Sequence, residues 1–472
     1  PGSGLLCCRL LPEGWQPIST GRRRRGVPTP LKMRPLRGLT GLLAALVVSV
    51  AFAEVRRLPH HSDHEFVPKL RTLAEQHPGH ILNHIIIKVK ESDARTHHET
   101  ANLIASRAGA GRVRRVFRHG GKHEPKHEAA GLHRWYKAEV HETAFASRKA
   151  HATIDSLERV LNHSEAVGMV EHIEAAFAIR AIGSTATAGN NHKSYNGNGD
   201  GKGGVRRRAA SSSTPNDPYY TDGDQAHYDA VGIDQAWGIT AGDSSVIVQV
   251  IDSGIDEDHP DLQINKWVNT GETDCSDGVD NDNNGYIDDC YGYNHADDST
   301  SLLGDGSHGT HCAGTIAADS DNGLGVAGVA GGMDGVAGAS LMISTVFGND
   351  DTDGFEDALV YGADNGAHIS SNSWGYTVPD VMSDATKEAI DYAVDAGVIV
   401  VFAAGNDAST GNWYPAAYEH DLMVAVAAAE DTGVAADFTN YGDWVDISAP
   451  GVDIMSTYTV NEGSYGLMSG TS

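Results

Sequence analysis

From Asn216 onward, short and nearly uninterrupted apolar runs alternate with stretches of helical spacing, which limits the possible folds more than any other feature of this 472-residue chain. Val246–Ile251, Ala367–Ser371, Val398–Ala403 and Met423–Ala428 carry apolar residues on both parities and read as strands buried on both faces. Phe355–Asn365 has helical spacing. Asp380–Ala396 sets Ala389, Ile390, Ala393 and Val394 on one face and stops before Gly397, where a left-handed residue is needed. The pattern predicts an α/β unit over residues 216–472, a doubly wound and mostly parallel sheet. Active residues in such sheets lie beyond the carboxyl ends of the strands.

A different pattern precedes it. Ile81–Lys90, Trp135–Val140 and Met169–Ile179 read as strands, and Thr96–Ala108 and Ala150–Leu161 as helices, giving a small α+β unit over 81–182. Residues 183–215 have linker composition, and Arg206-Arg207-Arg208 within them mark an expected processing site. Upstream, 54–80 is polar and His-rich. The first methionine is Met33, followed by Arg34, Arg37, the apolar run Gly38–Ala53 and the ending Ala51-Phe52-Ala53, the layout of a signal peptide over 33–53. The run is too short for the roughly 20 apolar residues of a membrane span, so no stable membrane anchor is expected. Residues 1–32 then read as a non-native or untranslated leader. The expected location is secreted or extracellular, or the lumen of the secretory or vacuolar pathway.

Charge divides the chain at the same place. From Ala209 on there are 45 acids and two bases, Lys266 and Lys387, whereas residues 1–208 hold 33 bases and 18 acids. The larger, acidic half would repel phosphate, which excludes nucleic acid as the main partner, and the two halves should attract each other. Secretion makes disulfides possible. Cys275 and Cys290 bracket a tight acidic loop and are expected to pair, for roughly 3 kcal/mol by chain entropy, which leaves Cys312 as a free thiol beside His308.

Three motifs fall where active residues of such a sheet belong. Asp252 closes the first strand in Val250-Ile251-Asp252-Ser253-Gly254, His308 stands in Ser307-His308-Gly309-Thr310-His311-Cys312-Ala313-Gly314, and Ser472 ends Ser469-Gly470-Thr471-Ser472. A serine nucleophile needs an imidazole to take its proton, and the imidazole needs a carboxylate to hold its tautomer. A separate run, Asp280-Asn281-Asp282-Asn283-Asn284-Gly285-Tyr286-Ile287-Asp288, fits the first nine positions of a calcium loop, with oxygen ligands expected from Asp280, Asp282, Asn284, Tyr286 and Asp288. Tyr291 stands where a bidentate Glu belongs, and Asp289 is the available substitute.

Residues 216–472 resemble the subtilase catalytic domain almost throughout, in its subtilisin and proteinase K-like branch. Besides Asp252, His308 and Ser472, the likeness covers His259-Pro260-Asp261-Leu262, Ser371-Asn372-Ser373-Trp374-Gly375, Ala403-Ala404-Gly405-Asn406, Tyr414-Pro415-Ala416, Phe438-Thr439-Asn440-Tyr441-Gly442 and Ala449-Pro450-Gly451. The resemblance implies a serine endopeptidase without a catalytic cofactor, acting on proteins or peptides. It implies Asn406 as the side-chain oxyanion donor. Ser373, Trp374, Gly375, Ala403, Ala404 and Gly405 would wall an uncharged specificity pocket that pairs with extended substrate. It also implies a second calcium site at Asp261 and Asn322, with the backbone around Leu324 and Val326.

Residues 82–180 resemble, more weakly, the subtilase prosegment, a small ferredoxin-like domain that acts as intramolecular inhibitor; Ile85–Val89 and Val170-Glu171-His172-Ile173-Glu174 carry the match. Of the 24 histidines, 17 precede residue 209, either a habit of composition or a pH response. Charging near pH 6 would release the prosegment if several are held neutral in it, whereas the added positive charge would strengthen its attraction to the acidic unit. Because the family's nucleophile opens a buried helix, the chain as written is expected to be a C-terminally truncated, inactive fragment. The alternative reading is an inactive relative serving as a calcium-dependent binding or inhibitor module.

Overall fold

The computed structural model describes residues 70–72, 74–75, 79–91, 95–140, 146–182, 214–304, 306–349 and 351–472. The expected leader, signal peptide, most of the 54–80 segment and nearly all of the 183–215 linker, with its arginine run, lie outside the described residues.

In the N-terminal unit, strands β1 (Ile81–Val89), β2 (Ala110–Arg115), β3 (Trp135–Val140) and β4 (Val170–Phe177) form one antiparallel sheet in the order β2-β3-β1-β4. Helices α1 (His97–Ala108) and α2 (Ala146–Leu161) pack against it. Helix α1 begins with a reciprocal cap: Glu99 N donates to Thr96 Oγ1 at 3.2 Å, and Thr96 N donates to Glu99 Oε2 at 2.9 Å. Ile85 and Ile87 are fully buried with Ile104, Ile154 and Leu157, each contributing about 2 kcal/mol. The polar alternation of β2 (Ala-Gly-Arg-Val-Arg-Arg) carries too little apolar signal to be read as a strand in isolation.

The C-terminal unit is built on seven parallel strands. They are β6 (Ile247–Asp252), β7 (Gly292–Asn294), β8 (Ser340–Thr345), β9 (Ile369–Asn372), β11 (Ile399–Ala403), β12 (Met423–Ala429) and β13 (Ile447–Pro450), in the spatial order β13-β12-β11-β9-β6-β8-β7. Every pairing in this sheet is parallel. Strand alternation divides the core: Ile251 faces Phe355, Val400 and Phe402, while Val250 faces Ala313, Ala317, Leu341 and Ile343. The first face is covered by helices α4 (Phe355–Asp364) and α5 (Asp384–Asp395), the second by α3 (Ser307–Ala317). Ser383 caps α5, and Gly397 follows it with φ 93°. Strand β7, three residues beginning with Gly292, and β13, four residues ending in Pro450, carry little apolar pattern, whereas β8 is missing from the predicted strands despite its run Leu341-Met342-Ile343.

A two-stranded antiparallel ribbon joins the units. The segment after β4 forms β5 (Ile179–Ala181) and pairs with β10 (Trp374–Tyr376), matching Trp374 with Ala181, Gly375 with Arg180 and Tyr376 with Ile179.

Candidate active site

Strand β6 is the first strand of its sheet in sequence and lies in the sheet's interior, with β8 on one side and β9 on the other, so the chain reverses its winding direction there. Asp252 ends β6 and is 2% exposed. His308, in the first turn of α3, brings Nδ1 to 2.7 Å from Asp252 Oδ1. The two residues are 56 positions apart, and a close packing joins them: a Cβ on Gly309 would fall 2.1 Å from the Gly254 carbonyl oxygen, so only glycine lets the helix approach the strand end this closely. Gly309 N also donates to Ser253 Oγ at 3.0 Å. Burial opposes a charged imidazole, but the Asp252 carboxylate and the Cys312 sulfur outweigh it and raise His308 well above its ordinary value.

Ser472 lines the same cavity as His308, Cys312 and Ser373. Its hydroxyl donates to the carbonyl of Ile182, at the end of the N-terminal unit, rather than to His308. Asn406 Oδ1 accepts from Thr471 N and Thr471 Oγ1, both at 3.0 Å, and Thr471 Oγ1 accepts from Gly405 N at 2.9 Å. Thr471, which sequence reading left unassigned, therefore braces the amide against the residue beside the serine.

The expected pocket walls divide into two kinds. Ser373 and Gly375 present backbone to the docked tail: Ile182 N donates to Ser373 O at 2.7 Å, and Thr377 N donates to Ala178 O at 3.1 Å. The Trp374 ring is fully buried between Phe355 and Phe402, so its backbone faces the tail and its side chain belongs to the core. Ala403, Ala404 and Gly405 do not pair with the tail among the described residues. Their backbone groups are used by Val426, Asn440 and Thr471. A charge also adjoins the site, against expectation. Asp407 accepts from Arg180 Nη2 at 2.6 and 2.5 Å, and Arg180 lies 5.6 Å above the Trp413 ring.

The tail is held by the rest of the N-terminal unit. Glu174 accepts from Ser383 Oγ at 2.6 Å and Asp384 N at 3.3 Å, sitting on the N-terminus of α5, where a negative charge is favoured. Lys88 Nζ and Trp135 Nε1 both reach Glu388, at 2.5 and 2.7 Å. His127 Nε2 lies 2.6 Å from Asp364, and Lys137 Nζ 2.9 Å from Asp353. Burial pushes Lys137 down to about 8. Arg114 and Arg118 pair with Asp353 and Asp298.

Two acidic clusters bear on calcium. In the loop closed by the Cys275–Cys290 disulfide, Asp280 accepts from Asn284 N and Gly285 N, and Asp288 from Gly278 N. The Tyr286 side chain is buried and bonds Asp357, and Asn284 Nδ2 bonds Asp289. The carboxylates that converge are Glu272, Asp282 and Asp289, within 4.8 Å of one another, and Glu272 Oε2 is buried without a partner. This set shares only Asp282 with the alternating ligand pattern; Asp280, Asp282 and Asp288 all accept from backbone donors of the turn. An orphaned buried carboxylate oxygen beside two more carboxylates fits a hard divalent cation. Lys122 of the N-terminal unit reaches Asp282 at 2.7 Å.

At the second cluster Asp261 accepts from Asn322 Nδ2 at 2.7 Å and Val326 N at 3.0 Å. Asp217, not foreseen in the sequence, accepts from Asp321 N at 2.7 Å. Burial raises Asp261 to about 7 and Asp217 to about 6. Such a pair of desolvated carboxylates would be relieved by a bound cation. Cys312, the free thiol, is buried 3.9 Å from His308 Nδ1.

Fold and site together define a doubly wound α/β protein with a buried carboxylate–imidazole pair beside a serine and a braced amide. The chain belongs to the subtilase family: that family's model matches residues 243–472. Thermitase of Thermoactinomyces vulgaris is 35% identical over 265 residues, covering 55% of this chain and 80% of that protein. A thermophilic serine proteinase of Bacillus sp. (strain AK1) is 37% identical over 259 residues, covering 55% of this chain and 56% of its own length, so the chain spans about half of that relative. The crystal structure of fervidolysin from Fervidobacterium pennivorans, described as a keratinolytic enzyme related to subtilisin, superposes with a TM-score of 0.54 at 22% identity. It covers 84% of this chain and 54% of its own, a likeness of fold that extends into the N-terminal unit.

Proposed function

We propose that the chain is the precursor of a secreted serine endopeptidase held inactive by its own N-terminal unit, a ferredoxin-like prosegment, and that the first bond it cleaves follows Ile182. The observation that carries this is the docked tail: residues 179–182 lie antiparallel on residues 373–376 as a substrate strand would, with the Ile182 carbonyl at the Ser472 hydroxyl.

In the cleavage, Ser472 Oγ bonds to the carbonyl carbon of Ile182 as His308 takes its proton, and the C=O pair moves onto oxygen. Asp252 fixes the proton on Nδ1 and steadies the imidazolium. The Asn406 side chain, oriented by Thr471, donates to the oxyanion, a contribution of about 3 kcal/mol. Collapse breaks the Ile182–Gly183 bond, His308 returns the proton to the leaving amine, and water then hydrolyses the acyl ester by the same route. The names of the relatives, proteinase and thermitase, do not favour the non-catalytic alternative.

Calcium would be held at Glu272, Asp282 and Asp289, and at Asp261, Asp217 and Asn322, where it supplies charge neutralisation and a loop clamp. Secretion rests on the Gly38–Ala53 run; among the described residues no helix is long and apolar enough to cross a membrane.

Expression of the full-length precursor with mass analysis of its products tests the reading. A prosegment ending at Ile182 is expected, and Ser472→Ala should leave the precursor whole. Processing that persists in Ser472→Ala, or begins at Arg206–Arg208 with none at Ile182, would overturn it.

A further inference from the structure

One titratable cluster lies in the N-terminal unit and has no part in docking or catalysis. Glu91 follows β1, His97 opens α1, and His133 lies in the turn before β3, so three separate segments meet at one end of the sheet. His97 Nε2 is 3.1 Å from Glu91 Oε2, and His133 Nε2 is 3.5 Å from Glu91 Oε1. The two imidazole centroids are 4.8 Å apart, and one donor atom from each residue falls within 4.8 Å of the others. We propose that Glu91, His97 and His133 form a transition-metal site of the zinc class on the prosegment.

The spacing carries the argument. Tetrahedral zinc with bonds of about 2.0–2.2 Å to nitrogen and oxygen sets neighbouring ligand atoms about 3.3–3.5 Å apart. The two measured separations, one to each oxygen of Glu91, bracket that range, and one donor atom from each residue lies within 4.8 Å of the others. Closure of the imidazoles onto one oxygen and a common centre therefore completes three positions and leaves a fourth for solvent. Two imidazoles and one carboxylate also suit zinc better than calcium, whose ligands are all oxygen. One cation competes: Arg134 Nε lies 3.3 Å from Glu91 Oε1. Its Nη1 is anchored on Val89 O at 3.1 Å and on Glu171, however, and the Glu91 side chain is 69% exposed and can turn to the ion while those anchors hold. A bound ion would clip the end of β1 to the start of α1 and to the turn before β3. It would therefore stabilise the unit that covers the active site.

This site stands independently of the catalytic reading, and its test reads no activity. Zinc is titrated by calorimetry into the full chain carrying Ser472→Ala, alone, with His97→Ala/His133→Ala, or with His60→Ala/His61→Ala. The first pair should weaken zinc binding about a hundredfold and the second leave it unchanged. Cobalt in place of zinc should give the intense visible bands of tetrahedral coordination. Glu91→Gln, a substitution at an exposed side chain that leaves the fold intact, should weaken zinc about tenfold. Equal zinc affinity in the parent chain and His97→Ala/His133→Ala, or a cobalt spectrum showing octahedral coordination only, overturns the assignment.

Discussion

The two units of this protein differ in where their charge is placed. In the C-terminal unit 45 acids face two bases, so most carboxylates have no cation within their own unit, and several are buried: Asp261, Asp289 and Glu272 are 0%, 0% and 8% exposed. The N-terminal unit places part of its basic charge on the docking face, where Lys88, Lys122, Arg118 and Lys137 each meet an acid of the larger unit. The smaller unit thus supplies the larger with counter-charge that its own sequence lacks. Strand pairing sets the register of the tail, and on the proposed reading the ion pairs are expected to set how slowly it leaves.

The largest test of that contrast is to remove what else could neutralise the acids. Chelating calcium from the C-terminal unit should lower its melting temperature by about 10 °C, since a site held at a thousand times its Kd contributes about 4 kcal/mol. Glu272→Gln should remove much of the shift at the disulfide loop. An unchanged melting temperature under excess chelator would show that the acids are tolerated bare.

A smaller effect sharpens the docking half. Glu388→Gln leaves Lys88, whose side chain is 10% exposed, without its strongest partner and weakens the acceptor of Trp135. A fully buried pair would cost more, but Glu388 is 30% exposed, so about 2 kcal/mol is expected, or roughly thirtyfold faster release of the processed prosegment. Release at the parent rate would place the affinity in the strand ribbon alone.

The smallest effect is the pH dependence. Burial opposes the charge on His172, yet Glu174, Asp384 and Glu388 raise it above its ordinary value. A raised histidine contributes stability that is complete below about pH 6.5 and is lost as pH rises through its folded value. Burial lowers His123, against the pull of Asp364, so its contribution runs oppositely and is lost on acidification. Prosegment release should therefore quicken about threefold from pH 6.5 to 8.5, and His172→Gln should flatten that rise. A profile that stays steep in His172→Gln would assign the dependence elsewhere.

Much of this architecture was legible because its cause is local. The apolar runs ending at Asp252, Ser371 and Ala403 mark strands buried on both faces, and the motifs holding Asp252 and His308 stand where such a sheet places its active residues. What escaped depends on distant partners. Asp407 gains a role only when Arg180, 227 residues away, lies beside it. Thr471 becomes a brace only once β11 ends near it. The acidic loop shows the same limit: ligand spacing along a chain does not show that Glu272, from outside the run, comes within 4.8 Å of Asp282 and Asp289.

The strand ribbon at the cleft has a kinetic consequence. A peptide bond held against its nucleophile by 3.1 to 2.7 Å backbone contacts is presented at a local concentration fixed by the tether, however dilute the protein. Maturation by the proposed route would be unimolecular, so its half-time would belong to each molecule singly and be independent of protein concentration.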